Sequence, residues 1–150
     1  MPPPVGLIAR SFHRLLGRPL VEGIDVHNCD AAVEAAMQDT TAVIVAHGTE
    51  PDPIFFYGNR AALRLFEATR EQFTAMPSRL SAEPMLREER ERLLARVRAH
   101  GYIDDYSGVR ISLGGRRFRI ARAIVWNLID ERGERQGQAA TFTEWTPLDS

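Results

Sequence analysis

The N-terminal part of the chain carries apolar side chains at helical spacing. Ile8, Phe12 and Leu16 recur at the i, i+4, i+8 positions of one helix face. The glycine at position 17 suits the end of such a helix, because glycine readily adopts the left-handed conformation found there. The pattern predicts a helical extension over residues 1–40, with helices at residues 5–16 and 30–38.

Beyond residue 40 the pattern becomes that of an α+β domain. The β-branched run TAVIVA (residues 41–46) is typical of a strand covered on both faces, and IFFY (residues 54–57) indicates a second strand. Helical patterns follow, and then long stretches rich in β-branched and aromatic residues. For a core domain over residues 41–150 we predict strands at 41–46 and 54–57, helices at 60–67, 69–73 and 85–100, and strands at 102–113, 116–130 and 137–145.

The glycine pair at residues 114–115 indicates a hairpin with a two-residue turn, since glycine tolerates the positive φ angles of such turns. In that register Ile111 opposes Phe118 and Ile103 opposes Trp126. These apolar side chains then share one face, which we predict to be the core face of the sheet.

A charged pair falls on the same predicted face, where Asp105 and Arg122 would be diagonal neighbours. Burying an isolated charge is costly, so both groups must be paired or solvated. Two interpretations remain open. Arg122 is a polar anchor for a small anionic ligand, or the pair is a salt bridge at the rim or is returned to solvent by a β-bulge.

Composition narrows the classes of protein. The 150 residues contain 19 basic side chains, all arginine, against 20 acidic ones, and the net charge of -1 argues against bulk attraction to nucleic acid. The length suits one domain, and the single cysteine, Cys29, excludes an internal disulfide. No secretory signal and no apolar run of about 20 residues is visible, which predicts a cytoplasmic protein without a membrane segment.

The predicted order of elements is similar to that of PAS domains. NRAA (residues 59–62) and TREQF (residues 69–73) resemble PAS motifs. A closer resemblance, over about residues 8–145, is to the bacterial MEKHLA family, which is itself PAS-like. It rests on HGTE (residues 47–50), YGNRAAL (57–63), MPSRL (76–80), GYIDDYSGVRI (101–111) and GQAATF (137–142).

The resemblance implies a five-stranded antiparallel sheet covered by short helices on one face. It implies a sensory or small-ligand-binding domain without an output domain of its own, signalling through contacts with an unknown protein partner. A ligand-free module that forms a homodimer through the N-terminal helix or the outer sheet face is the alternative, and a small enzyme is a third. The candidate residues for a ligand pocket are Tyr57, Asn59, Ser78, Asp105, Arg122, Trp126 and Phe142.

The residues argue against the cofactors known from PAS domains. In flavin-binding light sensors a reactive cysteine follows the segment that TREQF resembles, and that position falls on Ser78. The positions of the flavin-binding asparagines fall on Arg110 and Ile120. Haem would need a histidine on the long helix, and His100 stands at the end of that helix, where it suits the helix dipole. We therefore expect neither flavin nor haem.

Metal binding and catalysis have no convincing constellation either. His47, Glu50 and Asp52 lie in one turn, but no second cluster completes a metal site. Asp104 and Asp105 are adjacent on a predicted strand, so they point to opposite faces and cannot act together on one substrate. We predict no metal, no catalytic residue and no enzymatic activity.

Overall fold

The protein is described here by a computed structural model that covers residues 2–82 and 87–148. The predicted start of the long helix, at residues 84–85, lies outside the described residues. The helices are α1 (Gly6–Leu16), α2 (Asp30–Asp39), α3 (Arg60–Phe66), α4 (Arg70–Phe73), a 3₁₀ turn (Ser78–Ser81) and α5 (Arg87–His100). The strands are β1 (Val43–His47), β2 (Phe55–Gly58), β3 (Tyr102–Ile111), β4 (Arg117–Ile129), β5 (Arg135–Phe142) and β6 (Glu144–Pro147).

The strands form one antiparallel sheet in the order β2-β1-β5-β4-β3, and β6 also pairs with β4. β6 continues the line of β5, because both pair with the same strand in the same direction. The structure confirms the predicted α+β fold with its sheet, short helices and N-terminal helical extension. No helix within the described ranges is both long enough and apolar enough to cross a bilayer.

Helices cover both faces of the sheet. The inner face packs against α3, α4 and α5, and its core contains Phe66, Phe73 and Phe118. The outer face packs against α1 and α2, and Phe12 of α1 meets Trp126 of β4 edge to face, with ring centroids 4.9 Å apart. The predicted extension therefore covers the outer face of the sheet within the same chain.

The hairpin between β3 and β4 differs from the predicted register. The amide of Ser112 donates to the carbonyl of Arg116 at 2.9 Å, and Gly115 has a φ of 86°. This is a three-residue loop that ends in a left-handed glycine rather than a two-residue turn. The strands are consequently shifted by one residue, and Arg110 opposes Phe118 where Ile111 was expected.

A β-bulge at Arg122 reverses the sides of β4. Arg122 has a φ of 53°, in the left-handed region that non-glycine residues rarely adopt. Before the bulge, Phe118 and Ile120 belong to the inner core, whereas beyond it Trp126 and Leu128 belong to the outer core. The predicted single apolar face, with Ile103 opposite Trp126, was therefore wrong, and Ile103 pairs with Val125.

Candidate functional site: a cavity beneath the inner face of the sheet

A cavity of about 130 Å³ lies between the inner face of the sheet and the helices that cover it. Its apolar walls come from strands β1, β2, β4 and β5 and from helices α3 and α5, and include Phe55, Phe66 and Phe142. The polar side chains that line it are His47, Ser78, Ser81, Tyr106, Arg110 and Gln138. An apolar cavity with a few polar groups is the usual form of a small-molecule site.

Arg110 is the cation on the cavity wall. Its side chain is half-buried, its guanidinium lies 5.7 Å from the centroid of the Tyr106 ring, and its Nη2 donates to Tyr106 Oη at 3.4 Å. Its backbone also bridges to Ala82. Within residues 2–82 and 87–148 no carboxylate forms an ion pair with Arg110. The cation is therefore oriented by an aromatic ring rather than neutralised.

His47 contributes a neutral imidazole. Burial lowers the pKa of His47 below its ordinary value of 6.5, and the positive charges of Arg135 and Arg110 lower it further, against the opposing effects of the Gly48 carbonyl and Glu50. Its Nδ1 lies 3.0 Å from the Gly48 carbonyl oxygen and must donate there, since a carbonyl only accepts. Nε2 of the neutral ring is then left as an acceptor.

The 3₁₀ turn supplies two hydroxyl groups. Ser81 is fully buried, and its Oγ donates to the Ser78 carbonyl at 2.7 Å. The Ser78 amide donates to the carbonyl of Pro53 at 2.8 Å, which ties the turn to the segment before β2. Ser78 is thus held at the cavity wall.

The family model for the MEKHLA domain matches residues 4–147 of the chain. This chain belongs to the MEKHLA domain family. No curated protein sequence matches it.

Solved PAS structures share the fold of this MEKHLA domain. The PAS domain of a protein from Colwellia psychrerythraea matches with a TM-score of 0.63 at 14% identity, over 79% of this chain and 95% of that one. A PAS domain from a two-component sensor histidine kinase has a TM-score of 0.59 at 17% identity, over 79% and 95%. The light-state dimer of the fungal blue-light photoreceptor Vivid gives 0.59 at 13% identity, over 91% and 93%. The MEKHLA domain therefore has the fold of PAS-type sensory domains.

Of the residues predicted to form a pocket, Ser78 and Phe142 line the cavity. Arg110, which was not among them, lines it too. A three-residue loop is also compatible with the sequence, because a glycine in its last position suits a loop of that length. Sequence alone does not choose between the two loops, and the choice decides which face Arg110 takes.

Arg122 and Asp105 do not meet beneath the sheet. The Arg122 side chain is 81% exposed and its Nε lies 3.9 Å from Glu144 Oε2. The Asp105 side chain is 60% exposed and pairs with Arg96 Nη2 at 2.7 Å on α5. The bulge at Arg122 turns that side chain to solvent, so the interpretation of Arg122 as a polar anchor on the core face was wrong, and the alternative of a β-bulge that returns both groups to solvent is confirmed.

Tyr57 and Trp126 lie on the opposite face of the sheet, in the outer core. Trp126 Nε1 donates to the Ile8 carbonyl at 3.1 Å, which joins β4 to α1. Tyr57 Oη is buried without a hydrogen-bond partner in the described part of the chain. Burial, with a further effect from Glu34, raises the pKa of Tyr57, so the phenol stays protonated.

Asn59 is fully buried and is engaged on both sides of its amide. Its Oδ1 accepts from the amides of Ile44 at 3.1 Å and Ala62 at 3.0 Å. Its Nδ2 donates to the carbonyls of Met37 and Ala42, both at 2.8 Å. Asn59 thereby links α2, β1 and the first turn of α3, and its hydrogen-bonding capacity is used inside the protein.

The turn after β1 holds no metal cluster. Among the residues that the structure describes, no group of three or more His, Cys, Asp or Glu side chains is arranged to bind a metal ion. Asp52 instead pairs with Arg79 Nε at 3.1 Å, and Glu50 accepts from the Ile54 amide at 3.2 Å. Glu50 therefore stabilises the turn itself, and Asp52 joins it to the 3₁₀ turn.

Proposed function

We propose that this MEKHLA domain is a sensory module that binds a small molecule in the cavity and reports binding through altered contacts with another protein. The observation that carries the proposal is the cavity itself, in which apolar walls meet a few oriented polar groups. Its lining includes residues of β3 and the 3₁₀ turn as well as of the central strands. A bound molecule would therefore contact elements that also reach the protein surface. The PAS-type fold supports a sensory role.

We propose a small organic ligand rather than flavin or haem. A cavity of about 130 Å³ is close to the roughly 150 Å³ that accepts a benzene molecule. The fused rings of a flavin and the macrocycle of haem are much larger. Ser78 on the cavity wall also offers no thiol for a flavin adduct. Freshly purified protein is accordingly expected to show no visible absorbance.

No catalytic role forms part of the proposal. Asp105, which lies on the lining strand β3, is exposed and paired with Arg96. In the part of the chain that the structure describes, the cavity lining contains His47 but neither aspartate nor glutamate. A lone neutral imidazole without an acidic partner lacks the second group that acid–base or nucleophilic chemistry needs.

Native mass spectrometry of freshly purified protein, combined with a thermal-shift screen of small metabolites, tests the ligand-binding role. Ala140→Leu fills the cavity from β5, while Ala121→Leu adds the same volume on β4 at a residue outside the lining. We expect ligand shifts in the wild type and in Ala121→Leu, and none in Ala140→Leu. A ligand that binds all three proteins equally well would place binding elsewhere and contradict the proposal.

The small volume of the cavity favours a second candidate function, that of a ligand-free interaction module. Ligand pockets usually measure about 300–1,000 Å³, so a cavity of about 130 Å³ is small for a metabolite site. Trp145 on β6 is 43% exposed beside Phe118, which leaves an apolar surface for a partner. Because α1 covers the outer sheet face within the chain, a homodimer would have to use the outside of α1 and α2 or this edge. Sedimentation equilibrium of the wild type and Trp145→Ala distinguishes these surfaces.

A further inference from the structure

We infer that the ligand is a small monocarboxylate with a short apolar tail, held through its carboxylate by Arg110. The inference rests on the proposed ligand-binding function and names the class of molecule. The first observation concerns the charges on the cavity wall. Arg110 is a permanent cation there, and none of the described residues that line the cavity is acidic. Water solvates the half-buried guanidinium in the free protein, and a bound anion would supply its counter-charge.

The guanidinium is prepared for a planar acceptor. Contact with the Tyr106 ring and the long hydrogen bond to Tyr106 Oη favour one orientation of the guanidinium. Only one of its five N–H groups is used in that bond, which leaves donors in the fork geometry that matches a carboxylate. Orientation before binding reduces the entropy lost when the ligand binds.

The other polar groups fit the same ligand. Ser78 offers a hydroxyl on the cavity wall, and a hydroxyl can donate to a carboxylate oxygen. His47 is neutral in the free protein, so among the described lining residues the formal charge is carried by Arg110. The same cavity is also lined by the aromatic side chains of Phe55, Phe66 and Phe142.

The remaining volume sets the size of the tail. With the carboxylate held at half-exposed Arg110, a cavity of about 130 Å³ has room for an apolar tail of about four to six carbon atoms, by comparison with benzene in roughly 150 Å³. A dicarboxylate would place its second charge against the aromatic walls without a partner, at a high desolvation cost. The class is therefore that of short branched or aromatic monocarboxylates.

The test compares isosteric pairs of probes that differ in charge. 3-Methylbutanoate is compared with 3-methylbutanamide, and benzoate with benzamide, by calorimetry or ligand-observed NMR on the full chain. We expect both carboxylates to bind and their amides to bind at least about tenfold more weakly, as for loss of a charge-assisted hydrogen bond.

Three variants test whether Arg110 binds the carboxylate of the ligand. Arg110→Met keeps the long apolar stem and removes the charge, Arg110→Lys keeps the charge and loses the fork, and Arg122→Met removes an exposed arginine as the matched control. We expect Arg110→Met to weaken carboxylate binding by about tenfold to a hundredfold. Arg110→Lys should restore it in part, and Arg122→Met should leave it unchanged. The thermal unfolding midpoint of each variant shows that it is folded.

The possible outcomes distinguish failure of the carboxylate assignment from failure of the proposed ligand-binding function. If amides bind as tightly as carboxylates, and Ala140→Leu abolishes both, the ligand-binding role stands and the assignment of a carboxylate is overturned. If carboxylate binding is the same in Arg110→Met and the wild type, Arg110 is not the anchor. If no member of either pair binds, and the metabolite screen also finds no ligand, both proposals fail.

Discussion

At the scale of single residues, hydrogen-bonding capacity decides which polar side chains can take part in recognition. The oxygen and the nitrogen of the Asn59 amide are both hydrogen-bonded to backbone groups of three neighbouring elements. Arg110 has one weak hydrogen bond and an aromatic neighbour. The sequence marks both as polar residues within apolar surroundings. Their partners, which only the fold brings together, make the first a structural group and the second available for a ligand.

Replacement of Asn59 by aspartate should destabilise the protein strongly. A carboxylate cannot donate to the Met37 and Ala42 carbonyls, and its charge would be buried against them. We expect the free energy of unfolding to fall by about 3 kcal/mol or more, measured by urea denaturation. Asn28→Asp is the control, because exposed Asn28 only accepts a hydrogen bond, from the Cys29 amide. Equal losses in both variants would contradict the role given to Asn59.

His47 should make stability depend on pH. Its pKa in the folded protein lies below 6.5, so the unfolded chain takes up a proton more readily. The stability that comes from a neutral His47 is complete above pH 6.5 and is lost as the pH falls from 6.5 toward the lowered value.

The measurement is the free energy of unfolding between pH 5 and 7. As the pH is lowered, this group should reduce it by at most about 1.4 kcal/mol per pH unit. His47→Asn, which can keep a donor near the Gly48 carbonyl, should flatten that slope. His13→Asn, at an exposed position of α1, should not. A wild-type slope that survives His47→Asn would show that other groups cause it.

At the scale of elements, the β3–β4 hairpin determines what faces the cavity. Its loop shifts the register by one residue, and its bulge at Arg122 exchanges the two sides of β4. A shift of one residue moves a whole strand's side chains to the other face. Both events together explain why Arg110 faces the cavity and Arg122 faces solvent.

The bulge predicts an unusual effect of glycine. Arg122 adopts a left-handed conformation that costs an L-residue about 1–2 kcal/mol, and its ion pair is long and exposed. Arg122→Gly should therefore stabilise the protein by about 0.5–1 kcal/mol. Arg119→Gly, at an exposed position of β4 with ordinary strand geometry, should destabilise it by about 0.5–1 kcal/mol. Thermal unfolding of the two variants checks this, and a loss in both would contradict the bulge.

At the scale of the whole molecule, α1 and α2 close the outer face of the sheet. The edge-to-face contact of Phe12 with Trp126 and the hydrogen bond from Trp126 to Ile8 join the extension to β4. A sheet buried on both faces explains why β1 reads as a continuous β-branched run. The division between residues 1–40 and 41–150 is therefore crossed by one continuous apolar core.

Truncation of Phe12 tests whether the extension unfolds with the rest. Phe12→Ala should lower the free energy of unfolding by about 3–5 kcal/mol, in one transition that does not depend on protein concentration. His13→Ala, on the exposed side of α1, should change it little. A separate early transition, or a midpoint that rises with concentration, would indicate a detachable or intermolecular helix.

Much of the fold follows from local patterns. The order of helices and strands, the extension before residue 40 and the capping role of Asn59 can be read from spacing and from the chemistry of helix ends. So can the presence of Ser78 and Phe142 at the cavity, through the resemblance to a family. These properties depend on near neighbours in the chain, which the sequence states directly.

Register, bulge and partners depend on the assembled structure. Two adjacent glycines suit loops of two or three residues equally, and only the pairing of β3 with β4 and the packing of both faces selects one. The left-handed Arg122 has no local signal, because it lies in a bulge of β4 between β3 on one side and the line of β5 and β6 on the other. Sequence therefore determined which elements exist, whereas tertiary packing decided which face each strand presents and left Arg110, rather than Arg122, on the cavity wall.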